Sequence, residues 1–290
     1  MNETNVIIQA DSLKLMAEMP EASVDLVLTD PPYGVTACEW DKSPVDIAEF
    51  WRQVLRVCRK RVVVTATQPF ATDLICGNRK GFKWDDVWVK PPCSMMTKGR
   101  PLRSHELILV FGSGPFNPQP CEAMNLFRKI GKVKHLNSCA DQPAYGRKGH
   151  QRNDLIETGE RQPRSVFYFG RPKNNQFTKG NQFHPTEKPV ALFEYLVKTF
   201  SNEGDLVLDP FAGAGATALA CAITGRRWVC IEKEREYVDI ARRRLADGVQ
   251  PELCTANAED QGCRASRHTL DPLVGASGFP KKVEKSELGG

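Results

Sequence analysis

Short apolar runs, each closed by a turn of Gly, Pro or Asp, recur along this chain with amphipathic stretches between them. Val6-Ile7-Ile8, Val24-Asp25-Leu26-Val27-Leu28, Val62-Val63-Val64-Thr65-Ala66, Leu206-Val207-Leu208 and Trp228-Val229-Cys230-Ile231 read as strands buried on both faces, the pattern of a parallel sheet. His105 to Phe111 reads as a further strand, ended by Gly112-Ser113-Gly114-Pro115. Between them, Ser43-Pro44 predicts a helix start with Ser as cap and Pro at the first position, and Ile47, Phe50, Trp51, Val54 and Leu55 follow at helical spacing. Thr186-Glu187-Lys188-Pro189 predicts a second helix start, ahead of Leu192, Phe193, Leu196 and Val197, and Tyr237 to Leu245 reads as another helix. This alternation predicts an α/β fold with a mostly parallel, doubly wound sheet. Ligands of such sheets bind beyond the carboxyl ends of the strands, so the chemistry is expected just after the apolar runs.

At 290 residues and 41% apolar composition the chain can bury one large core, with room for an insertion. No apolar run approaches the length of about 18 residues needed to span a bilayer, and Met1-Asn2-Glu3-Thr4-Asn5 lacks the pattern of a secretory signal. Ten cysteines, none spaced C-x-x-C, read as reduced thiols of a cytoplasmic protein and not as a disulfide framework or zinc site. The net charge of +5 is uneven. Residues 113–183 hold 12 Lys/Arg against 5 Asp/Glu, a surplus of +7 that leaves −2 for the rest. A basic insert on a near-neutral body fits a polyanion-binding module, but on charge alone a solvated loop region fits it better. The organisation expected is therefore 1–112, a basic insert at 113–183, 184–247, and a polar tail over 248–290 read as largely disordered.

Two motifs stand where strands should end. Asp209-Pro210-Phe211-Ala212-Gly213-Ala214-Gly215-Ala216-Thr217 follows a strand and opens a helix, with glycines that let a backbone approach a ligand. Glu232 closes the next strand, placed to accept hydrogen bonds from ribose hydroxyls. Taken alone, this motif says only that an adenosine-type cofactor is bound. Thr29-Asp30-Pro31-Pro32-Tyr33-Gly34 follows the strand ending at Leu28. Its prolines stiffen the turn and leave carbonyls without local N–H partners. Asp30 and such a carbonyl can accept two hydrogen bonds from a planar amino group, and Tyr33 can stack on the ring that carries it.

Together these residues resemble the DNA amino-methyltransferases, in the permuted β-class order with the catalytic motif first. The family's cofactor motif, Asp-Pro-Phe-x-Gly-x-Gly, is matched by residues 209–215, and its catalytic motif, Asp-Pro-Pro-Tyr, by residues 30–33. The resemblance covers 6–112 and 184–245 and implies a Rossmann-like class I methyltransferase fold of seven strands, with a small target-recognition insert. It implies S-adenosylmethionine as cofactor, double-stranded DNA as partner, and a bacterial or phage-infected cytoplasm. Catalytic roles then fall to Asp30, Pro31, Pro32 and Tyr33. The cofactor would be held by Asp11 at its adenine, Glu232 at its ribose, and Asp30, Asp209, Phe211, Gly213, Gly215 and Thr217 around its methionine. His184, Thr186 and Lys188 resemble the segment lining the methionine side. Phosphate contacts are expected from Arg100, Arg103, Lys132, Lys134, Arg147 and Lys148. A homodimer and a cognate restriction endonuclease are partners compatible with such a family. No metal is required.

The amino nitrogen of adenine or cytosine shares its lone pair with the ring and attacks a methyl sulfonium poorly. Acceptors at Asp30 and the Pro31 carbonyl would free that pair, after the base is flipped out of the duplex. Asp at the head of the motif leans toward adenine N6 in this family, with cytosine N4 as the runner-up and an RNA or protein-glutamine substrate behind it. A cytosine-C5 enzyme would use a Pro-Cys nucleophile. Pro92-Cys93 and Pro120-Cys121 are present, but no Glu-Asn-Val-like partner accompanies either. A nicotinamide oxidoreductase leaves residues 30–33 unexplained, and a DNA-binding module without catalysis leaves two intact motifs without work. His105, His135 and Trp40, Trp84 and Trp88 read as packing or surface residues.

Overall fold

The computed structural model describes residues 3–34, 41–42, 44–90, 99, 101–119, 163–169 and 187–248. Strands β1 (Val6–Gln9), β2 (Val24–Thr29), β3 (Cys58–Ala66), β4 (Phe82–Val89), β5 (His105–Gly112), β6 (Val166–Tyr168), β7 (Leu206–Asp209) and β8 (Arg227–Glu232) form one sheet. Its order is β1-β8-β7-β2-β3-β5-β4-β6. Every neighbouring pair is parallel except those made by β5, which runs against β3 and β4. The α/β doubly wound expectation holds. The count of seven strands does not: β6, from within 113–183, adds an eighth by pairing Val166–Tyr168 with Val87–Val89. Its three residues are too few to show a period, and pairing with β4 alone makes them a strand.

Strand side chains alternate between two apolar layers. Trp228 and Cys230 of β8, with Leu26 and Leu28 of β2, face α4 (Val190–Phe200), α5 (Ala216–Ile223) and α6 (Arg235–Gly248). Val229 and Ile231, with Val24 and Val27, face α1 (Ser12–Glu18), α2 (Ile47–Val57) and α3 (Phe70–Gly77). Each layer contains fully buried large side chains, Leu192, Leu196 and Phe193 in one and Met16, Phe50 and Leu74 in the other. Burying such a side chain contributes on the order of 2 kcal/mol, so the two layers, more than any local propensity, fix where the sheet lies.

Three helix starts differ from the sequence reading. α2 begins at Ile47, because the Asp46 carboxylate accepts from the Glu49 amide at 3.1 Å and caps the first turn; Pro44 precedes the helix. α4 begins at Val190, which leaves Glu187 and Lys188 as a non-helical lead. α6 starts at Arg235, ahead of Tyr237, and runs to Gly248. Among the described residues no helix is long and apolar enough to cross a membrane.

This topology collects the carboxyl ends of β1, β8, β7, β2, β3, β4 and β6, with the start of β5, along one edge. The chain leaves β7 toward β8 and leaves β2 toward β3, in opposite directions. The switch point of the sheet therefore lies between β7 and β2, where a doubly wound sheet opens a crevice.

Candidate active site

Asp209 and Thr29 end the two strands at that switch point. The Thr29 hydroxyl donates to Asp209 Oδ1 at 2.7 Å, and the Phe211 amide donates to the same oxygen at 3.0 Å. Thr217, at the start of α5, donates to Oδ2. Asp209 and Thr217 thus turn inward and join β2, β7 and α5 to one another. Burial pushes the Asp209 carboxyl up to about 6, against the opposing pull of these donors.

The turn after β7 is shaped by its glycines. Gly215 sits at φ +80°, and a Cβ there would stand 2.8 Å from the Ala241 Cβ of α6. Gly213, at φ +50°, has open space where its Cβ would be. Its amide donates to Glu232 Oε2 at 2.8 Å, while the Glu234 amide donates to Oε1 at 2.8 Å. Burial raises the Glu232 carboxyl above its usual range. Gln9 pairs with Glu232 across β1 and β8, and the next residue but one, Asp11, caps α1 by accepting from Lys14 N at 3.2 Å. Asp11 is exposed at the same edge. Phe211 is half-buried, its ring 6.3 Å from that of Phe50. Gly213 leaves open space where a side chain would stand, and the Glu232 and Asp11 carboxylates lie along the same edge, a set that fits an adenosine-bearing cofactor: a backbone without side-chain bulk, and carboxylates for hydroxyl and amino donors.

Across the switch point, Asp30 is held by three donors. Lys188 Nζ lies 2.5 Å from Oδ2. The Thr65 hydroxyl donates to Oδ1 at 2.5 Å and lies 3.0 Å from the Tyr33 oxygen, and Tyr33 donates to Oδ1 as well. The Tyr33 ring packs 5.4 Å from Phe70 at 35°, with the Lys188 ammonium 5.7 Å from its centroid. Burial, then the charges of Asp30 and Glu106, raises the Tyr33 phenol well above its usual value, so it remains a donor.

Lys188 also lies 3.5 Å from Glu106 Oε2, and Lys90 pairs with the other oxygen of Glu106. Burial disfavours ionised Glu106, but Lys188 and Lys90 outweigh it and hold the carboxyl below its usual range. Burial likewise disfavours the Lys188 ammonium, and Asp30 and Glu106 outweigh it. Two carboxylates and two ammoniums therefore form one neutral chain, Asp30–Lys188–Glu106–Lys90, drawn from four separate segments.

The structure thus brings Asp30, Pro31, Pro32 and Tyr33 to one side of the switch point and Asp209, Phe211, Gly213, Gly215, Thr217, Glu232 and Asp11 to the other. Lys188, expected on the methionine side, has its ammonium on Asp30. Arg103 donates to the Gln68 carbonyl at 3.1 Å near the end of β3 and is exposed. His184, Thr186, Arg100, Lys132, Lys134, Arg147 and Lys148 lie outside the described residues. Trp88 is buried and Trp84 packs against Phe116 and Phe200. Thr65, Glu106 and Lys90 are site residues to which the sequence reading assigned no role. For Lys90 and Glu106 the signal is the charge beside an apolar run, since a charge drawn into a sheet needs a partner; Thr65, neutral and inside its run, carries none.

The family model described as "DNA methylase", of N6/N4 methyltransferases, matches residues 24–243. The chain is 28% identical over 263 residues to the DNA adenine methyltransferase YhdJ of Escherichia coli (strain K12), covering 84% of this chain and 83% of that protein. Two solved structures share the fold. The M1.HpyAVI–SAM complex superposes with a TM-score of 0.52 at 23% identity, over 82% of this chain and 98% of that one. The cytosine-N4-specific PvuII DNA methyltransferase superposes with 0.58 at 18%, over 88% and 91%. With the motif-bearing edge assembled as described and the family match spanning most of the fold, the chain belongs to the N6/N4 family of DNA methyltransferases.

Proposed function

We propose that this protein transfers a methyl group from S-adenosylmethionine to N6 of adenine in double-stranded DNA. The observation that carries the reading is Asp30 at the switch point, its carboxylate fixed by Lys188, Thr65 and Tyr33, across from the turn where Gly213 leaves open space and its amide holds Glu232. Bound there, the cofactor supplies an electrophilic methyl on a sulfonium. Glu232 takes the ribose hydroxyls and Asp11 the adenine amino group, while Phe211, Gly213 and Gly215 bound the pocket.

Asp30 and the Pro31 carbonyl accept the two hydrogens of the target amino group, which turns its lone pair out of the ring plane. The base reaches them only when flipped from the duplex, and the aromatic pair Tyr33–Phe70 offers a face beside it. Lys188 and Glu106 hold Asp30 in place through transfer; after it, Asp30 is the nearest acceptor for the proton the product sheds. Arg100, Arg103, Lys132, Lys134, Arg147 and Lys148 are assigned to the DNA backbone.

Aspartate at the head of the catalytic motif and the similarity to an adenine methyltransferase support adenine. Cytosine N4 is the second reading, favoured by the similarity in fold to a cytosine-N4 enzyme. Tritiated methyl transfer from S-adenosylmethionine to duplex DNA, followed by nucleoside analysis, is expected to give N6-methyladenine. Label only in N4-methylcytosine would replace the substrate, and label in no nucleoside would overturn the reading.

A further inference from the structure

Glu187 and Lys188 are adjacent in sequence, yet their side chains go to opposite halves of the site. Lys188 holds Asp30 and Glu106. Glu187 Oε1 lies 2.7 Å from Arg244 Nη2 of α6, and both side chains are only 2% exposed. The other terminal nitrogen of Arg244 donates to the carbonyl of Ala214, in the Gly-rich turn, at 2.5 Å. Ala241, one helical turn before Arg244, touches the same turn at Gly215. The amide of Gly213, next to Ala214, holds Glu232. One guanidinium thus grips both the turn that borders the cofactor pocket and the residue preceding the lysine on Asp30.

Burial pulls the Arg244 guanidinium down from its usual value, opposed by Glu187. A buried pair of this kind contributes little net stability compared with an apolar replacement of similar volume, so what the Glu187–Arg244 contact adds here is sought in the geometry it holds. The geometry in question joins two half-sites that belong to segments far apart in sequence.

Resting on the methyltransferase reading, we propose that Arg244 and Glu187 are positioning residues that couple the cofactor turn to the catalytic carboxylate: the state of the pocket and the placing of Lys188 on Asp30 are one linked variable. Linkage makes this reciprocal, so a change at Lys188 must be felt as a change in cofactor affinity, transmitted through Glu187.

The test is a double-mutant cycle read by calorimetric titration of S-adenosylhomocysteine into the full chain, with Lys188→Met, Glu187→Gln and the double variant. Lys188→Met is expected to weaken binding about 5-fold or more, and to have little further effect once Glu187→Gln is present. Glu187→Gln is also expected to lower kcat at saturating cofactor and DNA more than it alters KM for DNA. If Glu187→Gln does not fold, Arg244→Lys, which keeps the charge and loses the two-pronged grip, takes its place in the cycle. Independent, multiplying effects would overturn the coupling and leave Lys188 as a direct contact. A variant that lowers only the melting temperature, with affinity and kcat unchanged, would overturn it as well. Wild-type chain that binds no S-adenosylhomocysteine and methylates no DNA would instead overturn the methyltransferase reading.

Discussion

Asp30 already accepts from Lys188, Thr65 and Tyr33, and a carboxylate has about four lone-pair positions. One position on Oδ2 therefore remains for a further donor, which the proposed reading gives to the target amino group. Asp30→Ala is therefore expected to cut methyl transfer by about 10²-fold or more, well beyond the several-fold loss of S-adenosylhomocysteine affinity that freeing Lys188 transmits, as transfer assays and calorimetry would show. Loss of binding would shift Asp30 into the cofactor site. Asp209 plays a different part, and pH separates the two. Its carboxyl is raised to about 6 when folded, against 3.8 when unfolded. Between those values the folded state keeps a proton that the unfolded chain has released. Stability is thus expected to fall as pH rises from about 4 to 6, by roughly 3 kcal/mol, and no further above it. Asp209→Asn should flatten this slope in denaturation midpoints taken across the range. The motif carboxylates were legible because each directly follows an apolar run. The partners of Asp30 were not, since Lys188 lies 158 residues away and Glu106 meets Lys90 only across the β4–β5 pair.

At the level of elements, the Gly-rich turn separates packing from binding. Both glycines have positive φ, which costs a side-chain-bearing residue about 1 kcal/mol or more. Gly215→Ala adds a clash with Ala241, whereas a methyl on Gly213 would point into open space. Gly215→Ala is expected to lower the thermal midpoint more, by a further loss of about 1–3 kcal/mol. Gly213→Ala is expected to lose more cofactor affinity per unit of stability lost. Midpoints and titrations on both variants check the contrast, and the reverse order would mean the pocket lies elsewhere. Strands β2, β3, β7 and β8 were readable because buried runs are continuous. β4 was not, because Lys83, Asp85 and Asp86 break its apolar pattern and it is only half covered. β1 was readable, but the cap that starts α1 was read only as a ligand, since Asp11 offers the same carboxylate to both uses.

For the molecule as a whole, charge and topology act together. β5 runs antiparallel, so the chain leaves Gly112 at the end of the sheet opposite the site and crosses to Asn117, which donates to the Ser201 carbonyl beyond α4 at 2.9 Å. The described part of 113–183 is therefore rooted firmly at both ends, on α4 through Asn117 and on β4 through β6. The +7 surplus of this segment fits phosphate contact. Neutralising Lys132 and Lys134 together is expected to lower the slope of log affinity against log salt by about 2, uniformly across DNA sequences. An unchanged slope would place the duplex on another surface.

The sheet order has a consequence for how such a chain is made. β7 and β8, near residue 210 and after it, lie between β1 and β2, which a ribosome releases first. Val6 pairs with Val229, so the first of the described strands waits for the last of them. Until then β1 has no sheet neighbour and β2 has one bare edge, with apolar faces on both. Contacts so distant in sequence form slowly, and an emerging chain with open strand edges is prone to misassociate. The same interleaving that puts Asp30 beside the Gly-rich turn makes the enzyme's two halves unable to finish folding apart, and a nascent-chain holdase would find its longest-lived target in β1 and β2.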